Sequence, residues 1–166
     1  HPHLIYWTDD WKDNVTHAWF DGSTWQTEVV KHVSHYPTDT SIAIDSTDQA
    51  HVAYSYSGDD SIYYAWYDGG WQSERIAAYG AADGAGPISI AVDSNDQPRI
   101  AYCDVAGNQL DYWQRSGTTW ERSTVGPAYR LEALRLDGSD QTHVLYFHDD
   151  GGGSKVHYAY RDATGW

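Results

Sequence analysis

The sequence has little of what usually builds or staples a small soluble protein. In 166 residues there is one cysteine, Cys103, no methionine, two phenylalanines and five prolines. A lone cysteine forms no internal disulfide, and no Cys/His cluster has zinc-finger spacing, so neither a disulfide framework nor a zinc finger is expected. Leu, Ile, Val and Phe together number 26, which beside a net charge of −14 is a composition otherwise found in disordered chains. Basic residues are scarce as well, 10 against 24 acidic ones. The resulting field repels nucleic acid and anionic lipid, so DNA, RNA and acidic membranes are not expected partners. Apolar runs are only a few residues long, so none suits a membrane helix. His1 to Tyr6 does not read as a secretory leader; for a secreted protein the expectation is that the leader has been removed.

What the chain does have is rings. Nine Trp and fourteen Tyr can bury roughly 150–250 Å² each, so the core-building capacity lies in amphipathic aromatics whose N–H and O–H groups need partners. The length suits one domain spanning residues 1–166, within the usual ~100–200 residues.

A repeat organises the whole chain. Ser41 to Tyr54, Ser-Ile-Ala-Ile-Asp-Ser-Thr-Asp-Gln-Ala-His-Val-Ala-Tyr, aligns without a gap on Ser89 to Tyr102 at an offset of 48, on Ala133 to Tyr146 after 44 more, and backwards on Pro2 to Tyr6. Each copy continues with an aromatic segment, an Asp-Gly-like turn and a tryptophan: Trp25, Trp71, Trp120 and Trp166. The segments are short, β-branched and aromatic, and are separated by Asp/Gly/Ser/Asn turns, the pattern of strands in hairpins. Four strands per copy are expected, named a to d and placed in the second copy at 41–45, 51–56, 62–67 and 71–76. The copies run approximately over 1–32, 41–78, 89–126 and 133–166. A four-stranded meander of this period is a propeller blade, so the expected fold is all-β: about four blades, the two terminal ones incomplete, with some 14 strands. Two alternatives follow for those ends: further blades of the same chain complete the ring, or copies assemble as a homo-oligomer.

The blade sequence Ser-Ile-Ala-Ile-Asp, His-Val-Ala-Tyr, Tyr-Ala-Trp-Tyr-Asp-Gly, Trp resembles the sialidase-type (BNR-like) repeats of extracellular bacterial β-propellers over essentially the whole chain. The Asp21-Gly22-Ser23-Thr24-Trp25 turn departs from those repeats' Asp-box, Ser-x-Asp-x-Gly-x-Thr-Trp, in setting Asp and Gly side by side. The resemblance implies a secreted, extracellular protein and leaves lectins, lyases, hydrolases and scaffolds as functions.

Candidate site residues are sought in the d–a and b–c connections, on the face where propellers usually bind ligands. His35, Tyr36 and Asp39 share one connection, and Trp11, Tyr79, Tyr129 and Arg130 fall in others. Flat rings stack on the apolar faces of sugars while short polar groups take the hydroxyls. The acidic pairs Asp9-Asp10, Asp59-Asp60 and Asp149-Asp150 have the oxygen chemistry for calcium but lack the Asp-x-Asp-x-Asp-Gly loop pattern, and turn formation explains them. No other cofactor is indicated. His3, His51 and His143 recur at one frame position with Arg99 in the third copy, which points to a structural bond with a turn carboxylate. His1-Pro2-His3 does not form the amino-terminal copper motif, because proline lacks the amide that motif uses. The expectation is a carbohydrate-binding, lectin-like module for glycans or polysaccharide, with no catalytic residue assigned. The alternatives are a polysaccharide lyase or glycosidase using His35 with Tyr36 or Tyr79, against which stands the short supply of cations there, Lys31, Arg75 and Arg130, and a self-assembling surface or adhesion module.

Overall fold

The computed structural model describes residues 1–8, 13–35, 37–79, 86–162 and 164–166. Strands β1 (His3–Thr8), β2 (Asn14–Phe20) and β3 (Trp25–His32) form a first sheet, and β4 (Pro37–Ile44), β5 (Ala50–Tyr56), β6 (Ser61–Tyr67) and β7 (Trp71–Ala78) a second. The third holds β8 (Ile88–Val92), β9 (Pro98–Asp104), β10 (Gln109–Ser116) and β11 (Thr119–Gly126), and the fourth β12 (Arg130–Leu136), β13 (Thr142–Asp149) and β14 (Ser154–Arg161). Consecutive strands pair antiparallel within each sheet, so each repeat is one meander, or blade. Among the described residues no helix is long and apolar enough to cross a membrane.

The turn chemistry is the same in the second, third and fourth copies. Asp45, Asp93 and Asp137 accept the backbone N–H groups two and four residues on, and Asp48, Asp96 and Asp140 take positive φ angles of 66°, 59° and 58°, where a short polar side chain is tolerated. The second aspartate also ties neighbouring blades: Asp96 accepts the N–H and hydroxyl of Ser46, and Asp140 those of Ser94.

Strand a starts earlier than the turn pattern indicates. Pro37 opens β4, where a missing N–H is harmless, and a bulge between Pro37 and Asp39 carries the ladder onward, with the Asp39 N–H donated to Ser55 Oγ at 3.0 Å. Asp39 and Arg130 therefore lie on strands β4 and β12 rather than in connections.

The core is built between blades. Val15 of the first blade meets Val52, Tyr54 and Ala65 of the second. Ala53, Ile62 and Tyr64 of the second blade meet Ile88, Ile90, Ile100 and Tyr102 of the third, and Ala101, Leu110 and Tyr112 of the third meet Leu131, Leu134 and Val144 of the fourth. Period-2 alternation explains this: neighbouring residues such as Val52 and Ala53 point to opposite faces, and an inner blade buries both.

Candidate functional site

Three frame positions recur in the blades and build the junctions between them: one near the start of strand b (His3, His51, Arg99, His143), the third of the c-strand repeat (His17, Tyr64, Tyr112, Tyr158) and the tryptophan after the c-strand turn (Trp25, Trp71, Trp120, Trp166). In the second blade His51 Nε2 donates to Asp45 at 3.2 Å, so its Nδ1 accepts from the Tyr64 hydroxyl at 2.6 Å. His143 repeats this between Asp137 and Tyr158, while Arg99 pairs with Asp93 at 3.0 Å. These are the structural bonds to turn carboxylates that the recurring position implied.

The second and third blades close on one another. Trp120 stands edge-on to Tyr64 and donates its indole N–H to Glu74 at 2.9 Å. Arg115 fills the remaining gap, 3.3 Å from Glu74 and over the rings of Tyr64 and Trp66 at 5.3 and 5.0 Å.

The junction between the first and second blades breaks this pattern and opens. Tyr67 stands where the next copies have Arg115 and Arg161, and His17 replaces the c-strand tyrosine. Glu28, the counterpart of Glu74, is drawn to His17 Nδ1 at 3.1 Å. The buried N–H of Trp71 is consequently left without a hydrogen-bond partner. Between them lies a cleft of about 370 Å³, walled by the rings of Trp19, Tyr67 and Trp71 and rimmed by the carboxylates of Asp21, Glu28 and Asp48. Trp19 stacks on His17 with centroids 5.1 Å apart, and Trp71 packs edge-on against both His17 and Tyr67. Hydrogen bonds from the backbone N–H groups of Thr24 and Ser23 hold the Asp21 carboxyl well below the usual carboxylate range, so this edge stays anionic.

A chain of bonds underlies the cleft. His17 donates from Nδ1 to Glu28, so its Nε2 accepts, and His3 Nδ1, 2.9 Å away, donates to it. His3 Nε2 then faces Asp48 at 3.5 Å, and His1 Nδ1 bonds the other oxygen of that carboxylate. Burial, with the nearby His17, lowers the His3 pKa from its ordinary 6.5. A base with a lower pKa in the folded chain binds fewer protons there than when unfolded, so stability is complete above pH 6.5 and declines as pH falls below it. The melting temperature should therefore drop on going from about pH 7 to about pH 5, and less steeply in His3→Gln. Identical slopes in the two proteins would rule out His3 as the source.

The face favoured from sequence carries a second cleft, of about 410 Å³, lined by Lys31, His32, Val33, Ser34, Tyr54, Tyr56 and Tyr63. His35 lies beside it, exposed, with its ring edge-on to Tyr56. Burial, together with the hydrogen bond to Asp59, pushes the Tyr63 hydroxyl up to about 12. Asp39 and Arg130 are brought together in another cleft of about 400 Å³ with Thr38, Pro87, Leu131 and Glu132. There the half-buried Asp39, its pKa raised by burial, accepts the Ile88 N–H at 2.7 Å, and Arg130 pairs with Glu132 at 2.6 Å. Tyr129 packs on Phe147 and bonds Ser154 through its hydroxyl. Trp11 and Tyr36 lie outside the described residues.

Tyr79 is a correction. Its N–H bonds the Asp60 carbonyl, extending the ladder past the end of β7 and turning the ring into the core against Tyr102. The hydroxyl donates to the Tyr56 carbonyl at 3.1 Å and burial raises its pKa, so Tyr79 offers neither a sugar platform nor a proton-abstracting base. Three carboxylates of the acidic pairs are engaged too: Asp59 by Tyr63, Asp149 by the N–H groups of Gly151 and Gly153, and Asp150 by Lys155; Asp9-Asp10 lies outside the described residues. Among the described residues no group of three or more His, Cys, Asp or Glu side chains is arranged to hold a metal ion.

No family model and no curated protein matches this chain. Solved structures do. The lectin of Aleuria aurantia in complex with Fucα1-6GlcNAc is 15% identical with a TM-score of 0.66, over 95% of this chain and 56% of that one. The intramolecular trans-sialidase from Ruminococcus gnavus is 12% identical with a TM-score of 0.61, over 98% and 40%. An engineered GH43 glycoside hydrolase with endo-xylanase and exo-arabinofuranosidase activity is 14% identical with a TM-score of 0.55, over 99% and 36%. The fold is a β-propeller. Among the described residues the four blades are not closed into a ring, and the chain spans between about a third and just over half of the length of these three propellers.

Proposed function

We propose that this chain is an extracellular glycan-binding propeller module and that the cleft between the first two blades is its principal site. The observation that carries the reading is the pairing of three rings, Trp19, Tyr67 and Trp71, with the acceptors Asp21, Glu28 and Asp48 around one opening. Rings take the apolar face of a pyranose and carboxylates take its hydroxyls. The same carboxylates, on a chain of net charge −14, disfavour sulfated or uronate-rich polymers, so the expected ligands are neutral oligosaccharides.

A lectin and two carbohydrate-active enzymes among the structural neighbours support carbohydrate as the ligand class. The lyase reading loses its Tyr79 partner for His35, because that hydroxyl is buried and committed to a backbone carbonyl. Binding without catalysis is the reading the geometry favours. A glycan array probed with the wild type and with Tyr67→Ala and Glu28→Gln tests it: neutral glycans retained by the wild type should be lost by both variants. Unchanged retention in both would discard this cleft as the site.

A further inference from the structure

The rings of the open junction keep the arrangement of the closed one. His17 stacks on Trp19 at 5.1 Å as Tyr64 does on Trp66 at 5.2 Å, and Trp71 stands edge-on to His17 at 5.5 Å as Trp120 does to Tyr64 at 5.4 Å. In the closed junction that cage holds a cation. The Arg115 guanidinium lies over Tyr64, Trp66 and Trp120 at 5.3, 5.0 and 5.9 Å and pairs with Glu74. Between the third and fourth blades Arg161 lies over Tyr112 at 5.2 Å and donates to Gln114. The first junction has the cage and the carboxylate Glu28, with tyrosine in place of arginine at position 67. The cleft of about 370 Å³ opens there.

Two kinds of group in this cleft call for a ligand. Ring faces with a carboxylate beside them attract a cation. Asp48 is engaged by His1 at the rim, so Glu28 is the carboxylate assigned to that cation; it bonds His17 through Oε1 and has lone pairs for further donors. The indole N–H of Trp71, by contrast, needs an acceptor. Trp120 gives its N–H to Glu74 and Trp166 gives its own to Ser123 Oγ, whereas among the described residues Trp71 finds none. A ligand that satisfies both carries a positive charge and an oxygen close together. An arginine or lysine side chain has the charge and no acceptor, and a neutral sugar has the acceptor and no charge. An amino sugar has both, on adjacent carbons. We infer that the cleft selects glycans bearing an unacetylated amino sugar, with the ammonium group in the place that Arg115 fills one junction further on and the neighbouring hydroxyl accepting from Trp71. The rest of the oligosaccharide is neutral, in keeping with the glycan reading, on which this inference rests.

The test is calorimetric titration of the wild type, near neutral pH, with a short glucosamine oligosaccharide and with its N-acetylated counterpart of the same length. The amino form should bind at least about tenfold more tightly, and the advantage should shrink as salt is raised. Tyr67→Arg supplies the residue that plugs the later junctions, and it should abolish the preference for the amino form. Since it changes the net charge of −14 by a single unit, diffuse attraction between an acidic protein and a cationic sugar survives the substitution while binding in the cage does not. Should Tyr67→Arg fail to fold, Glu28→Gln carries the comparison and should weaken binding of the amino form more than that of the N-acetyl form. Equal affinity for the two forms in the wild type, or a preference that persists in the variant, overturns the inference and leaves the glycan reading standing. Binding of neither form overturns it as well, and retention of the neutral glycans on the array then judges that reading separately.

Discussion

Tyr64→Ala is expected to destabilise the chain by about 3–5 kcal/mol, the range for removing a large ring from a packed interior, while Tyr158→Ala at the same frame position should cost less than about 1 kcal/mol when measured on the monomer. Both tyrosines lie on strand c and both bond the strand-b histidine through their hydroxyls at 2.6 Å. They differ in what covers them. Tyr64 is 1% exposed beneath Trp66, Trp120 and Arg115, and its loss leaves a cavity under all three and strips His51 of its buried donor. Tyr158 is 62% exposed and surrenders a hydrogen bond that water can replace. Urea titrations with a constant m value would report the difference as a shift in midpoint. Equal shifts for the two variants would mean that the junction between the second and third blades is not the packed core it appears from its burial.

The largest expected effect on binding is at Glu28. Glu28→Gln keeps the shape of the side chain and its contact with His17, but replaces a carboxylate acceptor by a neutral one. Hydrogen bonds to charged groups contribute about 1.5–3 kcal/mol and neutral ones about 0.5–1.5 kcal/mol, so the difference should lower affinity for a neutral glycan roughly tenfold, at about 1.4 kcal/mol per tenfold. Tyr67→Ala should act through the opposite wall by removing the exposed ring that packs edge-on to Trp71. Calorimetric titration with a neutral oligosaccharide selected on the array would measure both. A loss confined to Tyr67→Ala would leave the ring as the contact and take Glu28 out of it. Loss of the melting transition in either variant would instead assign that residue to the core.

Much of this architecture can be read from local signals. The 48- and 44-residue offsets mark the blades, and the Asp-to-Asp turns mark the a–b hairpins because the side chain that caps the turn and the residue at positive φ are both set by local sequence. The bonds from Asp45 to His51 and from Asp137 to His143 span six residues each and follow from the hairpin itself. Tyr79 shows where this reasoning stops: its place after a strand suggests an exposed connection, yet one backbone bond to Asp60 turns the ring inward.

No single stretch of sequence marks the cleft between the first two blades, because its parts come from separate copies. Glu28 lies on β3, Asp48 in the next a–b turn, and Tyr67 and Trp71 beside the following c–d turn, and only the packing of one blade on another brings them to a common opening. A signal was present in the repeat frame, in the substitution of His17 for a tyrosine and of Tyr67 for an arginine, but its meaning depends on knowing that the arginine plugs the junction. By itself the sequence determined the all-β blades, their number within these 166 residues and their hairpins, since alternation, turn capping and repeat length act over a few residues. Which rings are buried, which seam is open and which faces are uncovered was decided only by the tertiary structure, because burial is a property of neighbours and a blade's neighbours lie nearly fifty residues away along the chain.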